Sequence, residues 1–126
     1  MSEVEQFLER ARQSLAVVEL LLSAGQNDVA ASQTYYAAFY IATALFRARG
    51  QQFNRHSHLV AEYGRVFARS RQLDPAFHCL LRTIFNLRAH ADYDPHPDTD
   101  ARAVVSFTAV ARDFLAAART YLAANP

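Results

Sequence analysis

Apolar residues in this chain recur in steps of three and four, and that spacing constrains its fold more than any other feature. Val4, Leu8, Ala11, Leu15, Val18 and Leu22 form the first such stripe. An α-helix gathers these positions on one face, whereas a half-buried strand needs strict alternation of apolar and polar residues. No stretch alternates in that way, and no internal repeat or low-complexity tract interrupts the pattern. The chain is therefore predicted to be all-α.

Five helical segments follow from the pattern and its punctuation. The first opens at Ser2, whose spacing to Glu5 is that of a capping box, and ends at Gly25. The second runs from about 28 to 49. It is rich in aromatics (Tyr35, Tyr36, Phe39, Tyr40, Phe46) with alanines between them, and it stops at Gly50. The third starts near Asn54 or Ser57 and reaches about Arg71, with Leu59, Val60, Tyr63 and Phe67 on one face and Gly64 in its interior. Asp74 and Pro75 open the fourth as N-cap and first helical residue, because proline's missing N–H is not needed there. Phe77, Leu80, Leu81, Ile84, Leu87 and Ala91 mark its buried face, and Pro95 and Pro97 forbid its continuation. The fifth follows Asp98 and Asp100, with Val104, Phe107, Val110, Ala111, Phe114, Leu115 and Leu122 turned inward. Short connections between long amphipathic helices favour antiparallel neighbours. The expectation is one domain spanning residues 1–126, an up-and-down bundle of four to five helices with the second and fourth at its centre.

Size and composition fit that picture. A chain of 126 residues, 52% apolar and 20% charged, supports one core and no second domain. The acidic start MSEVEQFLER lacks the basic and apolar regions of a signal peptide. The most apolar run, residues 35–46, is too short for the roughly twenty residues that cross a bilayer. The single cysteine, Cys79, lies among Phe77, Leu80 and Leu81 and suits a reducing compartment or burial as a small hydrophobe. A soluble cytoplasmic protein is expected, with no membrane contact.

Charge is unevenly spread. Residues 1–28 hold five acids and two arginines (−3), residues 29–91 eight arginines and two acids (+6), and residues 92–126 five aspartates and three arginines (−2). All thirteen basic side chains are arginine, whose planar fork suits phosphate or carboxylate oxygens. Such a basic middle is either a solvated face or a surface for an anionic partner. Arg47, Arg55 and His56, with Tyr36 as a stacking ring, are the candidates for binding a nucleic acid or nucleotide.

Arg88 stands out within FNLRAHADYDPHP. It follows Leu81 and Ile84 at helical steps, so its guanidinium projects from the apolar side of the fourth helix and needs a partner. Asp92 one turn later, an acid on another helix, or a bound phosphate would each serve. His90 lies about 200° around the helix from Arg88, so the two share no face unless the helix ends early or a second chain supplies one of them. His96 falls beyond Pro95 in a loop. His56 and His58 have an H-x-H spacing that chelates a metal from an extended strand but diverges on a helix, and no CxxC or HExxH accompanies it. Glycine-rich phosphate loops and a GxSxG elbow are absent, and neither a metal nor a cofactor is expected.

Taken together, SQTYYAAFYIATALFRARG, RHSHLVAEYGRVF and LDPAFHCLLRTIFNLRAHADYD resemble the HEPN family of small helical domains. The resemblance covers most of the chain. It rests on Tyr35-Tyr36-Ala37 with Phe39, on His56 followed by Gly64 and Phe67, and on Leu87-Arg88 with Ala91-Asp92-Tyr93. It implies a helical bundle, usually a homodimer, often encoded beside a small MNT-type nucleotidyltransferase as a toxin and antitoxin pair. Many HEPN members are metal-independent endoribonucleases in which an Arg, four to six residues before a His, holds the scissile phosphate at a cleft between protomers. On this chain the implied catalytic set is Arg88, His90 and Asp92, and Tyr93 matches the place of a tyrosine that partner nucleotidyltransferases modify with AMP. The spacing departs from the family's rule: one residue separates Arg88 from His90 and seven separate it from His96. Two functions therefore stand open: a toxin-like domain binding or cleaving RNA, or binding nucleotide, around Arg88; and a non-catalytic helical module that binds a partner protein.

Overall fold

The computed structural model describes residues 2–92 and 98–126, with backbone only for residues 90–92. Among these residues there is no strand. The helices are α1 (Glu3–Ala16), α2 (Val18–Ser23), α3 (Asn27–Arg47), α4 (His56–Tyr63), α5 (Pro75–Asp92) and α6 (Ala101–Ala124), with a π-helical turn, Gly64–Ala68, continuing α4.

The starts and stops follow the expected chemistry. The Ser2 hydroxyl accepts from the Glu5 N–H at 3.2 Å, the Asp74 carboxylate from Ala76 at 2.9 Å, and the Asp100 carboxylate from Arg102 at 2.9 Å. Gly25 and Gly50 turn the chain with φ of 76° and 75°, a left-handed backbone that glycine adopts without cost. Two segments differ from expectation. The first stripe breaks at Val17, after which Val18 packs with Ala30 and Val104, so one apolar stripe is divided between two helices. The third helix is α-helical only to Tyr63. From there one residue per turn is added, and the Arg69 N–H bonds the Gly64 carbonyl at 2.9 Å.

α3 is the axis of the bundle. Its small residues Ala37, Ala38, Ala42 and Ala44 are wholly buried and let neighbouring backbones close in, while Phe39, Ile41, Leu45 and Phe46 fill the space beside them. Contacts give the directions. Phe7 meets Tyr40 and Arg47, while Glu3 pairs with Arg47, so α1 runs antiparallel to α3. Ser32 meets Arg88 and Phe39 meets Phe85, so α5 is also antiparallel to α3. Phe77 stacks on Phe114 at 4.8 Å near the start of α5 and the later part of α6. α6 runs the same way as α3, as Ala30 with Val104 and Thr34 with Thr108 show, and it packs on α3 more extensively than α5 does. In this up-and-down bundle α3 and α6 pack together in parallel, with Ala30 beside Val104 and Thr34 bonded to Thr108. α5 packs against α3, α4, the π turn and α6, but Leu87, expected to be buried, is 51% exposed.

Cys79 is exposed. Its neighbours in sequence are apolar, but the buried positions on α5 are Phe77, Leu80, Leu81 and Ile84, and residue 79 falls between them on the outer side. No helix of the described residues is long and apolar enough to cross a membrane.

Candidate functional site

Arg88 lies near the C-terminal end of α5, where α5, α3 and the start of α6 enclose a pocket of about 470 Å³. The guanidinium is half-buried and donates from Nη1 to the Ser32 hydroxyl at 2.7 Å. Its position on the apolar face sets this geometry, since Ile84, Leu87 and Phe107 make the walls beside it. Asp28, Asp98 and Asp100 also line the pocket. These acids read in sequence as helix N-terminal residues facing the dipole, and Asp100 does cap α6. That they converge on the arginine's pocket depends on tertiary packing and has no sequence signal.

Tyr35 connects this pocket to a second group. Its ring lines the Arg88 pocket while its hydroxyl lies 2.6 Å from His56 Nδ1. The His56 ring stacks on Phe39 at 4.3 Å. Loss of solvent on that covered face lowers the His56 pKa below its ordinary value and favours the neutral ring. Tyr36, more exposed, sits edge-on to Tyr35 at 5.4 Å and beside Tyr40 at 6.4 Å. Ser32, Tyr35, Tyr36 and Phe39 thus form one stripe of α3 along which Arg88, His56 and Phe85 are arrayed.

The remaining predicted residues are placed as follows. Arg47 is fifteen residues from Ser32 on α3, about 22 Å along the axis, where it pairs with Glu3 and covers the Phe7 ring. It is not part of the Arg88 pocket. Arg55 precedes α4 as its N-cap residue and lines a shallow hollow with Phe53 and His58. His58 packs edge-on to Phe53 at 5.0 Å while His56 stacks on Phe39, so the H-x-H pair diverges. Among the described residues no three of His, Cys, Asp and Glu come together as a metal site. The side chains of His90 and Asp92, and the whole of Tyr93 and His96, lie outside the described residues.

The HEPN domain family model matches residues 4–121, and so takes in every element from α1 to α6. The chain belongs to the HEPN domain family. This HEPN domain is 30% identical over 92 residues to "Putative toxin MJ0142" of Methanocaldococcus jannaschii, a match covering 73% of the chain and 63% of that protein, which is less than two thirds of its length. It is also 30% identical over 119 residues to a "UPF0332 protein" of Thermotoga maritima, covering 91% and 90% of the two chains. A second Methanocaldococcus jannaschii protein, "Putative toxin MJ0605", is 24% identical over 101 residues, with 80% and 75% covered.

Proposed function

We propose that this HEPN domain is the toxin-like half of a toxin and antitoxin pair and acts as a homodimer that binds RNA, with Arg88 holding a phosphate at a cleft between two copies. The observation that carries this reading is the half-buried guanidinium of Arg88 at a pocket of about 470 Å³, steadied by Ser32. The planar fork of an arginine matches phosphate oxygens in a bidentate geometry. Leu87, 51% exposed beside it, offers apolar surface for a second copy to cover. The relatives named as toxins support the toxin-like role, and the resemblance supplies the MNT-type nucleotidyltransferase as its antitoxin. Cleavage would use His90 as the proton-transfer group, supplied by either copy, an aid worth about 10² to 10⁴ in rate.

A second reading is favoured by the acids. Asp28, Asp98 and Asp100 share the pocket with one arginine and apolar walls, a lining that suits a cationic, partly apolar side chain of a partner protein. Arg88 is then a structural residue of a non-catalytic module.

The test is growth inhibition on expression, together with binding and metal-free cleavage of a labelled single-stranded RNA, for the wild type, Arg88→Ala and the pair Asp28→Asn with Asp98→Asn. Under the RNA reading the arginine variant stays folded and loses toxicity and RNA affinity, while the asparagine pair binds RNA more tightly. An Arg88→Ala protein that is folded, fully toxic and unaltered in RNA binding would refute it. Absence of RNA binding in the wild type, with partner capture abolished by the asparagine pair, favours the module.

A further inference from the structure

A second concavity lies on the other side of α5, and its charge is opposite in character. A groove of about 650 Å³ separates α5 from α4 and its π turn. From α5 it is lined by Pro75, His78, Arg82, Phe85 and Asn86, steps of three, four, three and one that hold them on one face. From the opposite wall come Ser57, Ala61, Gly64, Arg65 and Arg69. Three arginines and a histidine therefore face one groove, and no acid is among the residues lining it. The nearby Glu62 is engaged by Arg65 through two hydrogen bonds of 2.9 and 2.8 Å, and the Asp74 carboxylate caps the backbone of α5. Arg69 and Arg82 are both exposed.

The groove is built into the fold. A Cβ on residue 64 would stand 2.5 Å from His78 Cε1 and Nε2, so only glycine lets the imidazole lie against that wall. The π turn begins at the same residue, and such turns are frequent where a helix serves a site. On α5, Arg82 and Arg88 are six residues apart, about 9 Å along the axis and about 120° around it, with Phe85 midway. Phe85 lines the groove and faces Phe39 at 6.4 Å, and Phe39 carries the stacked His56. Ser57 continues the groove into the hollow lined by Arg55 and His58.

We infer that this groove binds the phosphodiester backbone of a single RNA strand, as an affinity surface separate from the Arg88 pocket, with Arg69 and Arg82 as the phosphate-binding forks. The inference rests on the reading of the domain as RNA-binding but not on Arg88's part in it. A single strand fits because it requires positive charge, planar forks and an aromatic edge along a track, and Arg82, Arg69, Asn86 and Phe85 supply these. An acidic protein segment would match the charge but would make no use of the aromatic edge.

The experiment is fluorescence anisotropy of a labelled single-stranded RNA of mixed sequence with the full chain, repeated over a salt series. For Arg69→Ala with Arg82→Ala, affinity should fall about tenfold and the slope of log K on log salt should become shallower by about 1.4, two single-strand phosphate contacts at about 0.7 each. Arg112→Ala with Arg119→Ala removes the same charge from exposed positions of α6 outside the groove and should change neither quantity. Arg69→Lys with Arg82→Lys keeps the charge and stems; it should keep the slope and lose only part of the affinity, and it carries the test if the alanine pair unfolds. A groove pair that matches wild type in both quantities, or a control pair that loses as much as the groove pair, overturns the inference and leaves RNA binding standing. A wild type that binds no RNA refutes the RNA-binding reading itself, and binding of an acidic peptide in its place assigns the groove to a protein partner.

Discussion

Gly64→Ala tests the groove's construction through stability alone. In an ordinary helix interior the substitution gains about 1 kcal/mol from helix propensity. Here the new Cβ would stand 2.5 Å from two atoms of the His78 ring and 3.1 Å from a third, closer than side-chain carbons pack. The ring must leave, giving up its stacking with Tyr63 at 6.2 Å. Overpacking of this kind costs about 1 to 3 kcal/mol, so the substitution should destabilise by about 1 kcal/mol net. In a His78→Ala background the obstacle is absent and the same change should stabilise by about 0.5 to 1 kcal/mol. The sign reverses, and the coupling energy is about 2 kcal/mol. Urea unfolding of the wild type, both single variants and the double variant measures all four corners. Equal destabilisation by Gly64→Ala in both backgrounds would show that the imidazole is not what glycine accommodates, and the packing account of the groove would fail.

Two further outcomes follow from polar groups that folding covers in part or in full. Burial lowers the pKa of both His56 and His78, with Arg82 adding to the effect at His78. The unfolded chain then binds more protons than the folded one as pH falls below about 6.5, so stability should be full above that value and decline below it; urea midpoints from pH 7.5 to 5 should show this, with a shallower decline in His78→Gln. An unchanged or inverted pH slope in that variant would count against the burial argument. The Thr34 and Thr108 hydroxyls meet at 2.9 Å between α3 and α6, and each also reaches the carbonyl four residues back, Ala30 at 3.2 Å and Val104 at 2.7 Å. Either single valine substitution should cost about 1 kcal/mol and the double substitution less than the sum, because it leaves no hydroxyl without its cross-helix partner; strict additivity in urea unfolding would refute this.

The helices were legible because their causes are local. The stripe of α1, the Asp74-Pro75 start of α5 and the glycine stops at 25 and 50 each depend on residues within a turn or two. Arg88 was legible for the same reason: its place in the periodic pattern put a charge on an apolar face. The need for glycine at position 64 was not, because its cause lies fourteen residues away, where His78 occupies the space a side chain there would need. Cys79 is exposed because its angle on the helix, not the apolar character of its neighbours in sequence, sets its burial. The acids around Arg88 and the basic groove behind it both escaped notice, since each is assembled from separate helices and no one segment holds its pattern.

The two concavities divide the charge of the chain in a way that bears on how an RNA would be held. The +6 excess of residues 29–91 is not spread evenly around α5: Arg65, Arg69 and Arg82 open on the groove, while Arg88 opens on a pocket that holds three aspartates. Long-range attraction for a polyanion falls on the side without acids, and phosphate contacts of that kind supply affinity without selecting sequence. A phosphate reaching Arg88 must approach carboxylates as well, which only short, directed hydrogen bonds from a steadied guanidinium offset. Ser32 provides that steadying at 2.7 Å. Under this division Arg88 positions one phosphate at the cost of local repulsion, and the groove across Phe85 retains the strand that carries it. The salt dependence of binding should then reside mainly in Arg69 and Arg82, and toxicity mainly in Arg88. That separation is what a single charged patch performing both tasks would not produce.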